Sequence, residues 1–191
     1  TARNLPAIYP DEYEGLVTDL AEKAEATRSS LIEVLKHIHP DRPLCRGDAE
    51  HPTCLTGEQY TSCINFLRYF RAADNAGHVF STNYDLLLYW VHMEDLQSRG
   101  NNLNLADGFT REEDSLIWKE NAWPNYPQNI HYLHGAFYMV NGGQEVVKLK
   151  PSSGRATIIE ELDASGRMPL YVSEGLSKAK RAKIAESSYL N

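Results

Sequence analysis

The stretch VFSTNYDLLLYW, residues 79–90, changes period in its middle, and that change limits the folds open to the chain. Val79 and Phe80 end a short apolar run of the kind that forms a buried strand, whereas Leu86 to Trp90 open a helix. Five hydrogen-bonding residues stand between them: Ser81, Thr82, Asn83, Tyr84 and Asp85. A similar polar tip follows an apolar run at HYLHG (131–135) and at VSEG (172–175). Short apolar strands that alternate with helix-period segments predict an α/β fold with a mainly parallel sheet. The parallel part is expected around strands 78–82 and 169–173, with 131–150 forming a hairpin or sheet edge.

The rest of the chain fits around these strands. Val17, Leu20, Ala24, Leu31, Leu35 and Ile38 mark one face of one long helix or two consecutive ones, ending before Pro40. Residues 40–55, with three prolines and a glycine, read as a loop. Tyr60, Ile64, Leu67 and Phe70 line a second helix, closed by NAG at 75–77. The helix opened by Asp85 runs to Gly100, and 101–128 is irregular apart from a short helix over REEDSLIWKEN. NIHYLHGAFYMV and QEVVKLK read as strands joined by the NGG turn; ATIIEEL is a helix, MPLYVSE a buried strand, and the last stretch a helix.

At 191 residues, 42% of them hydrophobic, the chain can bury one core. Residues 1–191 are therefore read as a single domain, mainly helical over 1–77 and a strand–helix core over 78–191. A net charge of −7 speaks against binding nucleic acid. The basic run Lys178, Lys180, Arg181 and Lys183 reads as a solvated helix face. Cys45, Cys54 and Cys63 match neither the spacing of a zinc site nor a disulfide framework, so no metal and a reducing cytoplasm are expected. No apolar run approaches 18 residues and no signal peptide is evident, so no membrane contact is expected. The start at Thr1 rather than a methionine suggests a truncated N-terminus, and any homo-oligomer is expected to form through parts outside these residues.

In an open α/β sheet, ligands bind beyond the carboxyl ends of the strands. Asn83 there can hold a sugar hydroxyl or orient a water, or can serve a left-handed turn. Thr82 and Asp85 are placed to cap the following helix, and Tyr84, Leu86 and Leu87 to enter the core. His134 suits a general base near neutral pH, or a structural role, and Gly135 allows close approach to the backbone. His131 and His134, three apart on a strand, face opposite sides and share no metal. His37 and His39 read as surface.

The set STNYD, LHG about fifty residues later and PLYVSEG resembles the sirtuin-like NAD-consuming fold. The closer likeness is to bacterial sirtuin-like domains reading Thr-Asn-Tyr-Asp, several of which cleave NAD in antiviral defence. The resemblance implies a Rossmann-like, sirtuin-like fold and places Asn83 near the nicotinamide ribose, Asp85 at the carboxamide and His134 at the catalytic histidine. Thr82, Gly135, Ser173 and Glu174 would contact the dinucleotide. The chain lacks that family's Gly-Ala-Gly-x-Ser phosphate loop, and Thr82 stands where the family has glutamine. No cysteine lies between His134 and Pro169, so the zinc module of the protein deacylases is not expected.

The expected activity is an NAD glycohydrolase releasing nicotinamide, with NAD as the small-molecule partner. The alternative is a non-catalytic nucleotide-sensing or scaffold module, and a protein deacylase ranks third.

Overall fold

The computed structural model of the protein describes residues 10–39, 56–69, 77–97, 103–120, 128–143, 145–150, 157–172 and 176–190. The loop expected at 40–55, Cys45, Cys54, Phe70, Ser173 and Glu174 lie outside them. Helix α1, Pro10–Ile38, is one continuous helix. It stops just before His39, whose successor Pro40 disfavours helical geometry at the preceding residue. Among the described residues its second half meets the core: Ile32 and Leu35 are buried, whereas Leu16, Val17 and Leu20 are exposed. Helix α2, Gly57–Arg68, starts at a capping box between Thr56 and Gln59 and turns Tyr60 and Leu67 inward.

Strand β1 is Val79–Ser81 and helix α3 is Leu87–Gln97. They are followed by β2 Phe109–Glu112, β3 Ser115–Trp118, β4 Ile130–Tyr132, β5 Gly135–Asn141 and β6 Val146–Lys148. The chain continues through α4 Ile158–Ala164, β7 Pro169–Tyr171 and α5 Ser177–Ala185. Helix α4 begins at a second capping box, Thr157 with Glu160.

The fold is mixed α/β, but the expectation of a mainly parallel sheet is corrected. Among the described residues only β1 and β4 pair in parallel, as a two-stranded sheet. The larger sheet, in the order β2-β3-β6-β5-β7, is antiparallel at every described pairing. Connection length explains this, since a parallel neighbour needs a crossover of a dozen or more residues while β2–β3 and β5–β6 are joined by tight turns. The helical crossover read at ATIIEEL does join strands of one direction, because β6 and β7 both run antiparallel to β5. However, β5 lies between them, so β7 meets an antiparallel neighbour. The hairpin expected in 131–150 is present as β5–β6, in the interior of the sheet rather than at its edge. Every residue of β5 except Asn141 is buried, which fits the unbroken apolar run from Ala136 to Val140.

The short helix expected over REEDSLIWKEN is also corrected. Residues 109–118 form the β2–β3 hairpin, with Glu112 opposite Ser115 and Glu113 in a left-handed conformation (φ 50°) at the turn. Its acidic, helix-favouring composition is overridden by pairing of Leu116 and Ile117 with β6 and by burial of Phe109 and Ile117.

Candidate active site

The parallel pair β1–β4 brings two strand ends side by side. Ser81 is opposite Tyr132, so the polar tip 82–85 and the corner Leu133–His134 leave the small sheet at the same edge. Together Thr82, Asn83, Tyr84, Asp85, His134 and Phe137 line an open cleft of about 450 Å³.

The backbone of this tip is held in place. The Ser81 hydroxyl accepts the Asn83 N–H and donates to the Asn83 carbonyl, both at 3.1 Å. The Tyr84 carbonyl accepts the Phe137 N–H at 2.9 Å, tying the tip to β5. The β5–β7 register is irregular between Ala136 and Val140, the part of β5 that holds this bond. The His134 carbonyl accepts the Val172 N–H at 2.9 Å. No hydrogen bond among the described residues engages the side chains of Thr82, Asn83 or His134, and all three are exposed.

Asp85 does act as a cap: its Oδ1 accepts the Leu87 N–H at 2.8 Å. His39 caps the same helix end and had no local signal in the sequence. It is buried rather than on the surface, its Nε2 accepts the Leu86 N–H at 3.0 Å, and its ring meets Phe137 edge-on. Leu86 is fully buried, but Tyr84 and Leu87 are 40% and 38% exposed, which corrects their placement in the core. Tyr84 sits against Phe137 and Tyr171, with ring centroids 5.2 and 5.6 Å away, and forms an aromatic wall of the cleft.

Gly135 is required by its immediate neighbour. Its φ is +79°, and a Cβ there would sit 2.0 Å from the Leu170 carbonyl oxygen. This glycine lets the chain turn from the small sheet into β5, and it thereby sets the position of His134.

The family described as Domain of unknown function (DUF4917) matches residues 12–191. The chain belongs to that family. No curated protein and no solved structure matches it.

Two further polar clusters in this DUF4917 chain escaped sequence reasoning. The first is buried: Lys148 on β6 forms an ion pair with Asp107, their side chains 7% and 9% exposed. The Lys148 ammonium also lies over the rings of Tyr89, Phe109 and Tyr138, 5.1 to 5.7 Å from their centroids. Burial pushes the Asp107 carboxyl up, but the Lys148 ammonium and His92 outweigh it and hold the group below its ordinary range. Burial depresses His92 to about 4 against the opposing pull of Asp107.

The second cluster is at the surface. His78 Nδ1 and His131 Nε2 are 2.8 Å apart, so one imidazole donates to the other, and Phe80 stacks on His131 at 4.8 Å. Partial burial, then the neighbouring His78, lowers the His131 pKa. His131 thus faces away from the cleft that His134 lines, and borders a separate hollow of about 300 Å³ beside Tyr132 and Tyr189.

Among the described residues, no group of three His, Cys, Asp or Glu side chains is placed to hold a metal, and no helix is long and apolar enough to cross a membrane.

Proposed function

We propose that the chain binds NAD in the 82–85/134 cleft and hydrolyses it to nicotinamide and ADP-ribose. The observation that carries this reading is the convergence of the Asn83 amide and the His134 imidazole on one cleft, neither of them hydrogen-bonded to another described residue. The resemblance of STNYD, LHG and PLYVSEG to sirtuin-like NAD-consuming domains supports the same assignment and a sirtuin-like relation for the β1–β4 part of the fold. A volume of about 450 Å³ lies within the usual range of small-molecule sites and suits the nicotinamide–ribose half of the dinucleotide.

In this mechanism the bond between nicotinamide nitrogen and ribose C1′ breaks, and its electron pair stays with the nicotinamide. Positive charge builds on the ribose, as in glycoside hydrolysis. Asn83 holds the ribose and orients the attacking water, whose proton passes to His134. Asp85 keeps one carboxylate oxygen on the helix cap and offers the other to the carboxamide N–H. Thr82 contacts the ribose and Gly135 sets the position of His134; the resemblance adds Ser173 and Glu174, outside the described residues, as further dinucleotide contacts. No metal takes part. The setting consistent with this reading is a bacterial cytoplasm and antiviral defence, with no nucleic-acid or membrane partner.

Lack of the Gly-Ala-Gly-x-Ser loop favours a second reading, a nucleotide-sensing or scaffold module that binds without cleaving. The deciding experiment incubates the protein with NAD, follows nicotinamide release, and measures binding by calorimetry. Release that is abolished in both Asn83→Ala and His134→Ala, with unfolding midpoints unchanged, is the expected result. Binding without release supports the sensing module, and neither binding nor release refutes the assignment of NAD. Because both side chains are exposed and make no described hydrogen bond, each substitution should change stability by under about 0.5 kcal/mol.

A further inference from the structure

We propose that the chain self-associates by docking the N-terminal half of α1 from one copy against α5 of another. This surface lies within residues 1–191 and is independent of the NAD reading.

Among the described residues, helix α1 is anchored through its second half. Arg28 and Lys36 reach Asp163 of α4, at 3.4 and 3.0 Å, and Ile32 and Leu35 enter the core. Residues 14–27 are all exposed. Residues 14–27 therefore form an arm of about 21 Å, at 1.5 Å per residue. An isolated helix of this length is marginal in water, and within the arm the described side-chain support is local, such as the Asp19–Lys23 pair. Leu16, Val17 and Leu20 share one stripe of the arm and are 54%, 47% and 56% exposed. The arm is also acidic, with Glu14, Asp19, Glu22 and Glu25 against Lys23 alone over residues 14–27; Asp19 is paired with Lys23 and Glu25 with Arg28, which leaves Glu14 and Glu22 to meet a partner.

Helix α5 is its complement. It carries Lys178, Lys180, Arg181 and Lys183 with no acidic residue, and none of its side chains is buried. Lys180, Lys183 and Ile184 are half-buried and turn toward the body, which leaves Lys178, Arg181, Ala182 and Ala185 facing outward. On this face the small side chains of Ala182 and Ala185 lie beside Lys178 and Arg181, so an apolar stripe can pack on the alanines while carboxylates meet the cations. The chain's own α5 does not occupy the arm, since residues 14–27 and the outward face of α5 are all exposed. Charge also selects between partners within a second copy. Two α1 arms laid together juxtapose like charges, whereas an arm on α5 pairs opposite ones.

The test is sedimentation velocity of the purified chain over a concentration series at low and high salt. Self-association that weakens as salt rises is expected. Lys178→Glu with Arg181→Glu, and separately Glu14→Lys with Glu22→Lys, should each weaken it on the order of tenfold. Combining the two pairs in one chain should restore it, and so should mixing the two variants. All four positions are exposed, so circular dichroism should be unchanged. A monomer at every concentration overturns the proposal. So does association that survives reversal of α5 but is lost in Leu20→Glu, because it places arm against arm.

Discussion

Replacing Lys148 by Met probes the buried charge directly. The ammonium contacts the Asp107 carboxylate and lies over three aromatic rings, and both side chains are more than nine-tenths buried. Without it, the hydrogen bond left to Asp107 among the described residues is the Phe109 N–H at 3.3 Å, too long to offset a buried carboxylate. The expected loss for Lys148→Met is roughly 3–5 kcal/mol, the range for removing one member of a buried pair. The double variant Asp107→Asn with Lys148→Met should behave differently. The introduced asparagine keeps an acceptor for the Phe109 N–H, the methionine fills the space among the rings, and neither group needs a counter-ion. Its stability should return to within about 1 kcal/mol of the parent, which implies a coupling of several kcal/mol. Guanidinium unfolding at neutral pH, read by circular dichroism and tryptophan fluorescence, measures all four corners of the cycle. A loss under about 1 kcal/mol for Lys148→Met, or a double variant as unstable as the two single losses added, refutes the assignment of a dry, mutually dependent pair.

Other perturbations test separate parts of the structure. His92 is held at about 4, below its ordinary 6.5, so the unfolded chain binds the proton first. The stability contribution is present above pH 6.5 and is lost as pH falls toward 4, amounting to roughly 3 kcal/mol; His92→Gln should remove that part of the slope in acid titrations. Gly135→Ala should cost roughly 3 kcal/mol or more, because its Cβ meets the Leu170 carbonyl. Gly143→Ala, at positive φ with nothing near its Cβ, should cost only about 1 kcal/mol, and equal losses for the two glycines would contradict the corner geometry.

What was legible in the sequence followed the range of the interactions. The β5–β6 hairpin, the helix at 158–164 and the long first helix rest on signals within a few residues, such as NGG or the apolar spacing of the first helix, and all three are present. Strand direction was not legible. It depends on which strand sits beside β7, and the hairpin partner β5 occupies the place a parallel neighbour would need. The stretch 111–118 carries helix-favouring glutamates, yet its fate is set by β6, some thirty residues onward. Lys148 and Asp107 are 41 residues apart, and His39 meets Leu86 from 47 residues away, so neither contact leaves a local trace. Strand-end placement and the resemblance together pointed to Asn83 and His134, and the structure puts both on one cleft, but through the β1–β4 pairing, which the sequence did not indicate.

That pairing has a consequence for how the protein reaches its native state. His78 meets His131 across 53 residues, whereas the β2–β3 hairpin closes over a few. Closing a long loop is paid for in chain entropy before any contact returns it, so the hairpins form early and the parallel pair late. The cleft therefore joins segments some fifty residues apart in the chain, and any ligand that bridged the two strand ends would tie them together and stabilise the native pairing.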